Sequence, residues 1–558
     1  MDRPSTALRS NALLLAIVAL ALALRLPGLN DSLWYDEMWS THVILGSFSA
    51  LVHVIGSDVH PPFYSLVMFV WIRLFGDSEI SVRLLPLLCG LLTIVLTARL
   101  AVAYGWPRAA PIAALVLAIS PPNIWYAHEA RPYSMLVLLV VASTFAFHRI
   151  RETNVTRWYV IYALLALCMV MTHYFALAYV AAITLLAMGD ARLRGRMFWI
   201  AVAIALVLAL YLVARFVVGS IPGQAGHLSG FGPVEMWRLM FDWFIIGGAF
   251  GPAGSRGNAI RLLVAVVQLV LLALVVRGLL QSRTVQSGAA TSDSRWAPLI
   301  RRGELPLLLL VLPLSLLAID LAGAKQFYIE RSALTALPFF AIAIGIGVAS
   351  LPSTRLRVPA LAVIVGFSAV VLVSYYERAG ERRTVYFPKA DWRGAARWLS
   401  RESSRSGRPV VVVSITPALS LVYYGPGFAM RELNEAPNPA PANSDSTHSP
   451  SLRERVERRF AIPADPQRGR TGRVYILPAP EIAFADTVLL REKKSEFFLV
   501  SNRYVVGQLA GALEADRSFD VGTAFEGKGI RLLRVRRIGG WPVLHSVDDS
   551  LEARQFAK

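Results

Sequence analysis

The chain has 558 residues, 55% hydrophobic and 17% charged, with a formal net charge of +19. A soluble chain of this length would carry about a quarter charged residues, so composition excludes an ordinary soluble enzyme. Nucleic-acid binding explains the charge poorly, because the basic residues are spread over short loops between apolar runs.

The first apolar run, residues 11–26, follows Arg3 and Arg9 and has no small-residue cleavage site after it, so it reads as a retained helix. Further apolar runs recur as far as residue 376, in blocks close to the roughly 20 residues that cross a bilayer core. Arginine-rich short loops mark the cytoplasmic side. They predict eleven crossings: 11–27, 81–103, 108–124, 133–149, 158–173, 174–189, 197–218, 259–279, 304–320, 333–351 and 358–376. The N-terminus is then cytoplasmic and the C-terminal region outside. The run opened by His60-Pro61-Pro62 is too short to span, and is predicted to be a juxtamembrane or re-entrant helix on the outer face.

Two outer loops are long, 27–80 and 219–258, and long loops in a compact protein usually carry function. Beyond Tyr376 charge becomes dense. Residues 391–401 have the pattern of an amphipathic helix, and 409–415, 474–477, 497–500 and 530–538 read as strands. The predicted layout is a transmembrane domain over 1–376 and a small extracytoplasmic α/β domain over 377–558, with a disordered insertion near 435–470. The two cysteines, Cys89 and Cys168, lie in apolar runs and build neither a disulfide framework nor a zinc site.

Asp36 and Glu37 sit in Leu33-Trp34-Tyr35-Asp36-Glu37-Met38-Trp39, shortly after the first helix. One reading is an interfacial aromatic belt with solvated acids. The other is chemical: transfer of a sugar to a hydroxyl needs a base as the oxygen attacks C1, and Trp34 and Tyr35 offer faces that suit sugar C–H surfaces. A second constellation, Trp125-Tyr126-Ala127-His128-Glu129-Ala130-Arg131-Pro132-Tyr133, crowds polar groups between two apolar runs. His60 and Arg83 flank the short outer segment, and Lys325, Tyr328 and Arg331 lie in the last outer loop. These cations share a face with Asp36 and Glu37, where a leaving phosphate would need charge stabilisation. No Walker loop, dinucleotide fingerprint or zinc-protease motif occurs in the right context.

Together these pieces carry a family resemblance. The stretch 26–134 resembles the N-terminal module of GT-C glycosyltransferases of family 39, which include protein O-mannosyltransferases and the bacterial lipid A aminoarabinose transferase. The matching pieces are Arg25-Leu26-Pro27-Gly28-Leu29, Trp34-Tyr35-Asp36-Glu37, His60-Pro61-Pro62-Phe63-Tyr64, Phe75-Gly76-Asp77-Ser78-Glu79 with Arg83, and Glu129-Ala130-Arg131-Pro132-Tyr133-Ser134. Tyr328 to Pro338 resembles a later family element, and Asp391-Trp392-Arg393 the start of the outer domain of bacterial members. Residues 400–558 are matched only loosely.

The resemblance implies a GT-C fold, with about 11 transmembrane helices, in the plasma (inner) membrane. It implies an inverting enzyme that takes a monosaccharide from a polyprenyl-phosphate donor and gives it to a glycan, lipid or protein of the cell envelope. Asp36 would be the base, with Glu37 beside it. The implied substrate contacts are Trp34, Tyr35, His60, Arg83, His128, Glu129, Arg131, Tyr133, Lys325, Tyr328 and Arg331. Arg131-Pro132 stands where some relatives have Asp, and no metal or other cofactor is expected. A transporter or flippase for lipid-linked saccharides is the alternative; it should show ionisable residues near mid-span or inverted repeats, of which few are seen. A sensory or scaffolding protein would leave the crowded outer loops unexplained.

Overall fold

The computed structural model describes residues 4–41, 51–217 apart from 53, 54, 56, 57 and 59, then 258–285, 303–321, 334–377, 391–406, 421, 424 and six strands between 410 and 537. The chain clusters into two units. The first contains Met1–Asp31 and Asp36–Pro388; the second contains Ser32–Tyr35 and most of the chain from Lys389 onward.

The first unit is helical. In chain order its helices are α1 Pro4–Arg25, α2 Tyr35–Thr41, α3 Phe63–Phe75, α4 Glu79–Ala103, α5 Ala110–Ala118, α6 Pro121–Ala127, α7 Tyr133–Thr153, α8 Thr156–Val170, α9 Leu177–Met188, α10 Arg194–Val217, α11 Asn258–Val285, α12 Glu304–Leu321, α13 Leu337–Ala349 and α14 Thr354–Glu377. Each of the eleven apolar runs falls on one of these helices or on a consecutive pair. Among the described residues five are long and apolar enough to cross a bilayer, Glu79–Ala103, Tyr133–Thr153, Arg194–Val217, Leu262–Ser282 and Thr354–Val373, or six if the bent pair α5–α6 is one span. The other apolar runs do not meet that test as single helices, and α3 at 13 residues is only about 20 Å long.

The run 108–124 departs from the expected single straight span: α5 stops at Ala118, and α6 leaves at 62° to it. Pro121 and Pro122 cause the break. Neither has an amide hydrogen, and Ser120 before them is driven to an extended conformation, φ −72° and ψ 117°.

The exterior is apolar, with Trp199, Phe216 and Val217 of α10 and Leu15 of α1 well exposed, as a lipid-facing surface requires. The centre is α13, a wholly apolar helix with all 13 residues buried. It tolerates neighbours at backbone contact: a Cβ on Gly347 would lie 2.1 Å from the Leu274 carbonyl oxygen, and one on Gly278 would lie 1.9 Å from that of Ala343.

Among the described residues the second unit has a six-stranded mixed sheet and the helix α15 Trp392–Ser406. The strands are β1 Val410–Ser414, β2 Phe428–Met430, β3 Val474–Pro478, β4 Glu496–Asn502, β5 Phe519–Gly527 and β6 Ile530–Arg537, in the order β2-β3-β1-β4-β6-β5. β1, β2, β3 and β4 pair in parallel, and β6 runs antiparallel to β4 and β5. Trp392, Ala395, Ala396 and Leu399 form the buried face of α15, against Val412, Phe498 and Leu532. Asp391 caps this helix by accepting the Gly394 amide at 2.8 Å. The short β2 and the Gly-containing β5 are additions to the four predicted strands. The insertion near 435–470 lies outside the described residues.

Candidate functional site

The break after α5 places a buried loop at the heart of the first unit. α6 ends at His128, and Pro132 starts α7, so His128, Glu129 and Arg131 stay within packed protein, each under 7% exposed. His128 Nε2 donates to the Arg25 carbonyl at 2.6 Å, leaving Nδ1 to accept from the Tyr375 hydroxyl at 3.4 Å.

Opposite this loop lies the start of the first long loop. Gly28 has φ +94°, which a residue with a side chain adopts only with strain, and the chain turns there. Arg83 of α4 then fixes the segment from Leu29 to Glu37. Its Nη1 donates to the carbonyls of Leu29 at 2.8 Å and Asp31 at 2.5 Å. Its Nε and Nη2 grip Glu37 Oε1 and Oε2 at 2.9 and 2.7 Å, a two-point pairing suited to the planar guanidinium. Glu37 Oε1 also accepts the Ala130 amide at 3.0 Å, so one carboxylate joins α2, α4 and the 128–131 loop. Neither Arg83 nor Glu37 has any exposed side-chain surface.

Asp36, the neighbouring acid, is partly exposed. Its main-chain carbonyl accepts from Arg131 Nη1 at 3.3 Å, and the same nitrogen donates to Ser40 Oγ at 2.7 Å. Arg131 Nη2 approaches His60 Nδ1 at 3.4 Å. His60 is held by Asp58, whose Oδ1 lies 3.1 Å from Nδ1 and accepts the His60 amide at 3.0 Å. Burial by itself would raise the Asp58 carboxyl, but the His60 hydrogen bond and the nearby His60 and Arg131 charges hold it well below the usual carboxylate range. Behind this pair, Arg215 of α10 donates to the Asp58 carbonyl and to the Tyr174 hydroxyl, both at 2.7 Å. The rings of His173 and Tyr133 meet His60 edge-on at 5.5 and 6.0 Å.

The fold therefore gathers Asp36, Glu37, His60, Arg83, His128, Glu129, Arg131 and Tyr133 in one unit. Their environments separate them. Arg83, suggested by the sequence as a substrate contact, uses all three nitrogens on Glu37 and loop carbonyls. His128 is tied at both ring nitrogens. Asp36 and His60 are the more exposed members. Trp34 and Tyr35 belong to the second unit. Lys325, Tyr328 and Arg331 lie outside the described residues. Ser40, Asp58, His173, Tyr174 and Arg215 join the site without having been expected there; the one sequence signal is the place of Asp58, two residues before His60-Pro61-Pro62. Among the described residues no three His, Cys, Asp or Glu side chains converge as a metal centre needs.

Residues 59–214 match the family model described as dolichyl-phosphate-mannose-protein mannosyltransferase. This is the part of the chain that contributes His60, Arg83, Glu129 and Arg131. The chain has 156 of its 558 residues within that match. Its fold is similar to that of ArnT from Cupriavidus metallidurans in the apo state, at 12% identity and a TM-score of 0.52, over 94% of this chain and 98% of that one. The same ArnT bound to undecaprenyl phosphate aligns at 15% identity and a TM-score of 0.49, over 93% and 97% of the two chains. The oligosaccharyltransferase AglB of Archaeoglobus fulgidus aligns at 11% identity and a TM-score of 0.43, over 74% and 63%. No curated protein matches the chain.

Proposed function

We propose that this chain is a GT-C glycosyltransferase of the protein-mannosyltransferase and ArnT type that moves a monosaccharide from a polyprenyl-phosphate donor to a hydroxyl of a cell-envelope acceptor, on the outer face of the plasma membrane and with inversion at C1. Two things support the donor class: the family description of residues 59–214 names a lipid-phosphate sugar, and the unit holding the carboxylates has an apolar exterior suited to a lipid tail. The N-terminus is then cytoplasmic and the second unit extracytoplasmic, and no metal takes part.

One observation carries the assignment of roles: the adjacent acids differ completely in their surroundings. Glu37 is gripped by Arg83 and the Ala130 amide with no exposed surface. Asp36 is partly exposed, on backbone that Arg131 holds. In the proposed reaction Asp36 takes the proton of the acceptor hydroxyl as its oxygen bonds to C1. The bond between C1 and the phosphate oxygen breaks with its electron pair leaving on the polyprenyl phosphate. Arg131 and His60, on one side of Asp36, supply positive charge and a hydrogen-bond donor for that phosphate. Glu37 acts by position only, as the strut that keeps α2 against α4.

The test is release of polyprenyl phosphate from a panel of prepared polyprenyl-phosphate hexoses and pentoses by the purified full chain. Asp36→Asn should lose turnover by about a thousandfold or more while melting at the wild-type temperature. Wild-type turnover in that variant would overturn Asp36 as the base. An inert wild-type chain across the panel would overturn the donor class.

A further inference from the structure

Arg25 is the last residue of α1 and is completely buried. Among the described residues it pairs with no carboxylate, and its hydrogen bonds go to carbonyl oxygens. Its Nη1 donates to the Ala21 carbonyl at 2.8 Å and to the Ala118 carbonyl at 3.0 Å, and its Nη2 to the Leu117 carbonyl at 3.3 Å.

The choice of carbonyls is informative. In a continuous helix Leu117 and Ala118 would accept from the amides four residues on, which are positions 121 and 122. Both are proline and have no amide hydrogen. The guanidinium thus donates to the two carbonyls that Pro121 and Pro122 cannot bond, Leu117 also accepting from the Ser120 amide at 3.4 Å. An unmet carbonyl at this depth is costly, because no water replaces the lost bond. A cation at a helix C-terminus also complements the helix dipole. On the far side of the same residue, the Arg25 carbonyl accepts from His128 Nε2 at 2.6 Å. One residue therefore holds both ends of the bent segment: its side chain secures the end of α5, and its main chain secures the cap of α6.

We propose that Arg25 is a positioning residue for glycosyl transfer: by replacing the donors absent from Pro121 and Pro122 it sets the α5–α6 bend, and through it the 128–131 loop that meets Glu37 and Asp36. This rests on the reading of Asp36 and Arg131 given above, since Ala130 contacts Glu37 and Arg131 contacts the Asp36 backbone. Restoring the two amides would let α5 run straight on.

The experiment compares Arg25→Met, Arg25→Lys and the triple variant Arg25→Met/Pro121→Ala/Pro122→Ala in the full chain. Three quantities are read: melting temperature in detergent, amide hydrogen exchange over 117–131, and kcat and KM for whichever polyprenyl-phosphate sugar the wild type consumes. Arg25→Met should melt earlier, exchange faster over 117–131 and lose about a hundredfold in kcat with KM little changed. Arg25→Lys, with one nitrogen for two carbonyls, should lose about tenfold. The triple variant should regain melting temperature and protection at 117–122, but neither protection at 128–131 nor kcat. A merely structural role would restore kcat along with stability, and that result overturns the proposal. So does wild-type exchange at 128–131 in Arg25→Met. Exchange needs no turnover, so a wild type inert to every donor would count against the donor class alone.

Discussion

Helix α7 has a buried arginine–glutamate pair at each end, and the two ends have different work. Near its N-terminus Arg83 holds Glu37, with no exposed side-chain surface on either partner. Near its C-terminus Arg151 holds Glu304, with Glu304 fully buried and Arg151 18% exposed. Burial and pairing are thus alike, and neither marks a site. The difference is in the surroundings. Arg83 also binds the carbonyls that lead towards Asp36, and Glu37 also binds the loop carrying Arg131, so the first pair is the hub of a network ending at a partly exposed acid. The second joins the end of α7 to the start of α12 among Tyr104, His148 and Glu152, and no sequence motif converges there.

The largest effect should come from Glu37→Ala. It strands Arg83 without its carboxylate, at about 3–5 kcal/mol, and frees α2 from the 128–131 loop. Turnover should vanish along with a large drop in melting temperature, and Glu37→Gln should keep more stability than activity. Glu304→Ala should cost somewhat less stability, about 2–3 kcal/mol, because Arg151 reaches partial solvent. Turnover per folded molecule should stay at the wild-type level. A kcat loss in Glu304→Ala matching that of Glu37→Ala would break the comparison.

Asp58 gives a smaller, pH-dependent effect. Its carboxyl is depressed in the folded chain, so its stabilisation is fully present above the unfolded value near pH 4 and is lost as pH falls below it. Melting curves between pH 3 and 7 should show an acid limb that Asp58→Asn flattens, with that variant less stable than wild type at pH 7 and the gap narrower at pH 3. The smallest change is Ser40→Ala, which removes one bond to Arg131. It should cost about 1 kcal/mol and lower kcat only a few-fold, with KM for the donor rising if Arg131 touches the phosphate.

Much of the fold is legible in the sequence because apolar runs of helical length have few alternatives, and α15 is legible from its one-sided pattern. The failures are specific. The run 108–124 reads as one helix because its hydropathy hardly changes at Pro121-Pro122, although those residues lack the amides a helix needs. β2 has three residues, too few to show alternation, and β5 carries Gly522 and Gly527. At the site, residue types are legible but partnerships are not. Asp36 and Glu37 look equivalent in sequence, and Arg83, 46 residues from Glu37, looks like a phosphate ligand until its three nitrogens are traced to internal acceptors. Arg25 stands out in sequence only as part of a motif, since its partners lie 92 and 93 residues away.

The four residues Ser32–Tyr35 belong to the second unit although the chain on both sides of them belongs to the first. Within that unit the Leu33 amide donates to the Tyr424 hydroxyl at 2.7 Å and the Arg393 amide to Ser32 Oγ at 3.2 Å. A protein cut at Pro388 would therefore not be a smaller version of this chain. It would keep every helix of the first unit and still lose the anchors of the peptide that enters Asp36. A chimera that exchanges the second unit should therefore take residues 32–35 from the same parent as that unit.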